Sequence, residues 1–519
     1  MAEIRCLTNR YDNSRTGANL QETALKPSNV GPTSFGKLFT RPVDGQIYSQ
    51  PLYAADIQTN RGRLNLLYVA TMHNSVYAFE ADDPAASAPI WRVSLGPSAP
   101  LPDPNIGPSG YRDIAVEVGI VSTPVISPDL KTLYVVAFSK DSSGYHHTLH
   151  ALDPQTGQQL ASQLIKETVP GSGDGSSGGE LTFTSHRQLQ RAALTLANGR
   201  IYIAFAAYGD QTPYHGWVIG CDAQTLKPNS VYVTTPNTGL GGIWQAGQGL
   251  AVDDSGHLYF MTGNGGFNTS GSDLGDSIVK LNPDLTLNDW FSPFNNQALN
   301  AVDMDLGSAG ALLLPGTSLL VGGGKEGKLY LLDIREGKMG HFHPNSDSQI
   351  VQSFSIIQNH KAPSHHIHGG PAYWNLSGKR WIYVWPENDF LAAWQFDGAS
   401  FQTTPISKST TSNPTGVPGG SPGMPGGFLT LSANGSDQSS GIIWASHPYK
   451  DDANQEVVAG ILRAYQASDL TQELWHSKMN PARDDIGLFA KFCPPTVANG
   501  KVYLATFSKQ LAVFGRVSG

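Results

Sequence analysis

The chain is predicted to be an all-β protein, a single β-propeller of four-stranded blades, and three observations lead there. One apolar phrase recurs eight times: LLYVATMHNSVYAFEAD at 66–82 returns from Thr132, Arg200, His257, Ser318, Trp381, Gly441 and Lys501. Corresponding positions lie roughly 57 to 68 residues apart, a period that marks a repeat architecture. Within each unit, apolar runs of four to six residues alternate with Gly, Asn, Asp and Pro turns, and helical periodicity is not sustained anywhere.

The elements follow in order. Segments 1–34 form an N-terminal extension packed on the ring, and 35–45 (FGKLFTRPVDG) is a strand lying ahead of the first unit. Innermost strands are expected at YSQPLYA (48), IVSTPVI (120), RAALTLA (191), GQGLAVD (247), SAGALLL (308), HGGPAYW (368), PGGFLTL (425) and CPPTVAN (493). Eight blades result, with seven as the alternative count. The last unit reaches the end of the chain after three strands, so the strand at 35–45 is expected to complete it and close the ring. This makes 1–519 one propeller domain, although length alone suggests three or four.

Composition agrees: 39% apolar and 15% charged residues, with 57 glycines and 34 prolines, suit a turn-rich β protein. The net charge of −8 argues against nucleic acid or an anionic membrane as partner. No stretch of 18 apolar residues occurs. The opening MAEIRCLTNR lacks the apolar core of a signal peptide. Low lysine content and sequons at Asn268, Asn375 and Asn434 nevertheless lead to the expectation of a secreted, extracellular protein in mature form. Cys6, Cys221 and Cys493 have no metal-type spacing. A closed ring leaves no edge to pair, so a monomer is expected.

The two faces of the ring differ. Turns between first and second strands are tight (SPDLK, LANGR, DDSGH, VANGK), whereas long, varied crossings at 97–118, 166–190, 340–367 and 405–421 lie on the opposite face, where binding and catalysis are expected. That mouth gathers His73, Glu117, His186, Arg187, Arg191, Trp244, Gln245, Asn264, Asp303, Asp305, Lys325, His365, His366, His368, Asn388 and Lys491. Imidazoles and cations concentrated on an acidic protein suit an anionic oligo- or polysaccharide. In HHIH, alternate side chains of an extended segment point to opposite sides, so His366 and His368 share one. Asp303 and Asp305 also share a side, where they could bind Ca²⁺, act as a base or simply make a turn.

The segments YVATMHNSVYAFEAD, LYFMTGNGGFN, DMDLGSAGALLLP, GGGKEGKLYLLD, HHIHGG and MPGGFLTLSANG resemble the pyrroloquinoline-quinone-type propellers over most of the chain. The resemblance implies eight blades and places Asn264 of TGNG where those proteins hold Ca²⁺; Asp305 is the companion metal candidate. No adjacent cysteine pair and no haem-attachment Cys-x-x-Cys-His accompanies it. Length, composition and the DNSRTGANLQE opening are similar to the fungal propeller lyases that release L-rhamnose from rhamnosyl-α-1,4-glucuronate ends of plant gums. That resemblance implies a polysaccharide lyase acting by β-elimination without a required cofactor, with Ca²⁺ as a possible addition. Such chemistry needs a cation on the uronate carboxylate, a base near neutrality and a proton donor. On this reading Arg187, supported by Lys325, neutralises the carboxylate, and His73 with His365 or His366 moves the protons. His186, Glu117, Gln245 and Asn388 complete the substrate contacts. A quinone-dependent sugar or alcohol dehydrogenase and a non-catalytic binding propeller are the alternatives.

Overall fold

The computed structural model describes residues 5–413 and 423–517, so the part of the predicted 405–421 crossing from 414 onward lies outside the described residues. Eight antiparallel sheets are arranged as blades. Blade 1 comprises Leu52–Thr59, Gly62–Ala70, Ser75–Glu80 and Trp91–Ser94; blades 2 to 7 begin at Val125, Thr195, Ala251, Leu312, Ala372 and Phe428. Blade 8 orders Thr496–Ala498, Lys501–Ala505 and Gln510–Arg516 from the axis outward, and Phe35–Pro42 is its outermost strand. Its pairing with Gln510–Arg516 runs from Phe35 opposite Arg516 to Pro42 opposite Gln510, so the N-terminal strand closes the ring as the sequence predicted.

Why these segments are strands is visible in their burial. Arg200–Ala207 (RIYIAFAA) is buried at all but its first residue, because a middle strand is covered on both faces by neighbouring blades. The outermost strand Gln159–Leu164 contains no buried residue and is correspondingly polar. Between blades the cores are filled by large side chains, Trp217, Trp374, Trp394, Trp444 and Trp475 among them, all essentially inaccessible.

The tight turns lie where the repeat put them. Ala197 pairs with Arg200 and Ala498 with Lys501, leaving the two-residue turns Asn198-Gly199 and Asn499-Gly500. All four residues have φ between 50° and 74°. That left-handed conformation suits the twist of a two-residue hairpin and explains the choice of Asn-Gly.

The sequence did not anticipate the fate of the DNSRTGANLQE region. Residues 5–19 thread the central channel and bond to the inner strand of every blade. Arg5 and Cys6 pair with Ala54 and Tyr53 of blade 1. The Leu7 carbonyl accepts from Ile126 of blade 2, Asn13 from Val252 of blade 4, Ser14 from Leu313 of blade 5 and Thr16 from Tyr373 of blade 6. Ala18 and Asn19 run parallel to Leu431 and Ser432 of blade 7. Arg15 Nη2 donates to Thr195 Oγ1 of blade 3 at 2.6 Å, and the Tyr11 hydroxyl exchanges bonds with both backbone groups of Val497 in blade 8. The inner strands would otherwise present unpaired N–H and C=O groups to the axis, and the plug satisfies them. Arg15 is its anchor: fully buried, it also donates to the Leu250 carbonyl at 2.7 and 3.0 Å and to Asn9 O at 2.9 Å. The propeller therefore has two separate mouths instead of an open tunnel.

Candidate functional site

Above the plug, on the loop-rich face, lies a cavity of ≈ 440 Å³ centred on the axis. Its walls come from three sources. Residues leading into inner strands supply Arg191, Trp244, Ala246, Ser308, His368 and Phe492. Loops between second and third strands supply Asp210, Lys325, Asn454 and Gln455, and the 97–118 crossing supplies Tyr111 and Asp113. The Asn-Gly turns are on the other face, as the sequence implied.

One wall is a carboxylate cluster around a single ammonium. Lys325 Nζ lies 2.9 Å from Asp303 Oδ1 and 2.6 Å from Asp305 Oδ2. Asn264 ties the two aspartates together, its side-chain amide donating to Asp303 Oδ1 and its backbone N–H to Asp305 Oδ1, each at 2.8 Å. Burial opposes charge on Lys325, but Asp305 and Asp303 outweigh it and hold the ammonium above the usual lysine range. Burial, reinforced by Asp305, raises the carboxyl pKa of Asp210 on the same wall and of Asp276 behind it. The TGNG segment is built for this closeness: a Cβ on Gly263 would fall 2.2 Å from Asp305 Oδ1 and 2.8 Å from the Trp244 ring. Asn264 Oδ1 is buried with no hydrogen-bond partner, and with the Asp305 carboxylate it offers oxygen-only donors of the kind a hard divalent cation takes, although the Asp305 oxygens are engaged here by the Asn264 N–H and the Lys325 ammonium.

The other wall is cationic. The Arg191 guanidinium stands 4.4 Å over the Phe492 ring, and its Nε is buried without a partner. Beside it Lys491, 3% exposed, donates from Nζ to the Asn454 carbonyl at 2.7 Å. Burial, then the positive charge of Arg191, pulls Lys491 down to about 7, with Asp113 and Asp452 opposing. A lysine that sheds its proton near neutrality is a candidate base. The Tyr111 hydroxyl, buried and unpartnered, is kept protonated by burial and the charge of Asp113.

The sequence-predicted residues are divided by this geometry. Lys325 and Asp305 line the cavity and Asn264 braces them. His73 and Glu117 bond to each other at 2.9 Å on the rim, with His73 half exposed, and neither lines the cavity. His186 and Arg187 are also set back: the His186 ring lies 5.5 Å from Tyr145, whose hydroxyl is held by Asp103. Gln245 is 1% exposed and its amide is committed to the Gln248 carbonyl and the Met261 N–H, so it shapes the floor and has no group left for a sugar hydroxyl. Asn388 braces a loop, donating to Ser364 Oγ and accepting from Gly423 N–H. His365 sits 3.7 Å from Asp389, and His366 turns to Glu387 at 3.2 Å. Arg191 and Lys491 take the place beside the cavity that was assigned to Arg187 and the histidines. Their signal in the sequence was their position just before an inner strand.

No protein-family profile and no curated protein matches the chain. Among solved structures it is similar to the quinohemoprotein alcohol dehydrogenase ADHIIG of Pseudomonas putida and to that of Comamonas testosteroni, each at 15% identity and TM-score 0.55, covering 98% of this chain and 80% of the other. It is also similar to a europium-containing methanol dehydrogenase, at 12% identity and TM-score 0.56 over 99% and 98% of the two chains. The fold is thus that of an eight-bladed propeller. At these identities the likeness is one of fold.

Proposed function

We propose that the chain is a carbon–oxygen lyase acting on a uronate-containing saccharide, with the rhamnosyl-α-1,4-glucuronate ends of plant gums as substrate and extracellular action as its setting. The observation that carries this reading is the adjacency of Arg191 and Lys491 on one wall of a cavity whose far end is stopped by the plug. A blind cavity admits a chain end, not the middle of a polymer.

In this reading Arg191 binds the uronate carboxylate and withdraws charge from it, which acidifies the C5 proton. Neutral Lys491 takes that proton, the C5–H electrons form the C4=C5 double bond, and the C4–O4 bond breaks. Tyr111 protonates the departing O4, giving free rhamnose and an unsaturated uronate, and transfer of the proton on Lys491 through solvent restores the tyrosine. The Asp303–Asp305–Lys325 wall receives sugar hydroxyls. A divalent cation bound to Asn264 and Asp305 would supply additional Lewis acidity at that wall.

A second reading, quinone-dependent sugar or alcohol dehydrogenation, is favoured by that same all-oxygen set and by Trp244, whose unpartnered indole N–H and ring line the cavity. Incubation with gum arabic separates the two. Release of rhamnose with near-ultraviolet absorbance of an unsaturated uronate, needing no added cofactor, supports the lyase. Dye reduction only after addition of quinone and Ca²⁺ supports the dehydrogenase. Unchanged gum across the pH range removes the first reading.

A further inference from the structure

Outside the groups used above, one cluster converges in a way that a structural role does not require. His366 and His368 are two residues apart on an extended segment and so project to the same side. The turn between Lys379–Val384 and Phe390–Phe396 delivers Glu387 to them. Glu387 is 1% exposed, and each of its oxygens meets a different imidazole: Oε1 lies 2.9 Å from His368 Nε2 and Oε2 lies 3.2 Å from His366 Nδ1. The three candidate ligand atoms all lie within 4.8 Å of one another.

The surroundings hold this set in place. Ser364 Oγ donates to Glu387 Oε2 at 2.9 Å, and the Glu387 N–H is bonded to the His366 carbonyl. A metal-binding carboxylate is commonly oriented by such an outer hydrogen bond. His368 is buried and forms part of the cavity wall, while His366 is partly exposed and gives a route from solvent.

We propose that His366, His368 and Glu387 bind a divalent transition-metal ion of the zinc type. Two imidazole nitrogens and one carboxylate oxygen match the ligand preference of Zn²⁺ and its first-row neighbours, and leave a position for water or substrate. The chemistry is distinct from that of the oxygen-only set at Asn264 and Asp305, which suits a hard cation. The site is independent of the elimination reading, because none of its three residues has a part in those proton transfers.

The test is calorimetric titration of the full-length, chelator-treated protein with Zn²⁺ at about pH 7.5. One saturable equivalent is expected, and in His366→Ala the affinity should fall at least about tenfold. Co²⁺ provides a second readout: its visible ligand-field absorption should appear in the wild type and vanish in His366→Ala. Glu387→Gln should behave alike; if its buried position compromises folding, the partly exposed His366 variant decides alone. Absence of saturable binding, or the same affinity and Co²⁺ spectrum in wild type and His366→Ala, overturns the assignment.

Discussion

Replacing Lys491 by methionine should remove the proposed base and at the same time make the protein more stable, by an amount that depends on pH. Lys491 falls from its ordinary 10.5 to about 7, through burial and then the charge of Arg191. At ~1.4 kcal/mol per pH unit, that drop corresponds to a ceiling of ~5 kcal/mol on the penalty of folding around the ammonium below pH 7. Between pH 7 and 10.5 the unfolded chain binds a proton that the folded chain has lost, so stability rises with pH and the penalty shrinks, to ~2 kcal/mol at pH 9. Losing the bond from Nζ to the Asn454 carbonyl takes back about 1–2 kcal/mol. Lys491→Met is therefore expected to gain about 3 kcal/mol at pH 6 and close to nothing at pH 9. Urea denaturation at the two pH values measures this directly. Equal midpoint shifts at both, or a loss of stability at pH 6, would refute the argument that Lys491 is held against its charge.

Other expectations follow from the same geometry. Arg15→Met should lower stability by about 3 kcal/mol, because it strands the Asn9 carbonyl on the axis and leaves the Leu250 carbonyl with the Thr195 hydroxyl in place of two guanidinium donors; an unchanged melting temperature would contradict the anchoring role of the plug. Gly263→Ala should cost about 1–3 kcal/mol by forcing Asp305 and Trp244 apart, read by thermal melting. Arg191→Gln should reduce kcat/KM on a uronate substrate by about 100-fold or more, whereas His73→Ala, on the rim, should change it by less than about twofold. In the wild type, kcat/KM should rise with pH through about 7 as Lys491 deprotonates, and a profile flat across that range would exclude it as the base.

The blades and their closure were legible because a four-stranded repeat writes its period into the apolar residues, and Phe35–Pro42 stood out as the strand missing from the last unit. The plug was not, since residues 5–19 meet the ring largely through backbone groups and carry no alternation; only the burial of Arg10 and Arg15 sets them apart, and burial is invisible in sequence. At the site, Asn264, Asp305 and Lys325 could be located because each occupies a fixed offset from a recognisable strand. Arg187 and Arg191 could not be ranked against each other: a separation of four residues proved enough to set one back from the cavity and leave the other beside it. Tyr111 and Asp113 sit deep in the 97–118 crossing, whose path no local pattern dictates. Likewise His366 and His368 were a pair in sequence, and Glu387 joins them only through the fold.

On the proposed function, a carboxylated sugar end is expected to enter the plugged axial cavity and meet Arg191 and Lys491. A crystal structure of Lys491→Met soaked with the rhamnosyl-glucuronate disaccharide would locate that end. The carboxylate is predicted on the Arg191 guanidinium at hydrogen-bonding distance, about 2.7–2.9 Å, with C5 facing the substituted side chain. Disaccharide bound instead at the His73–Glu117 rim, or below the plug at the opposite mouth, would contradict it.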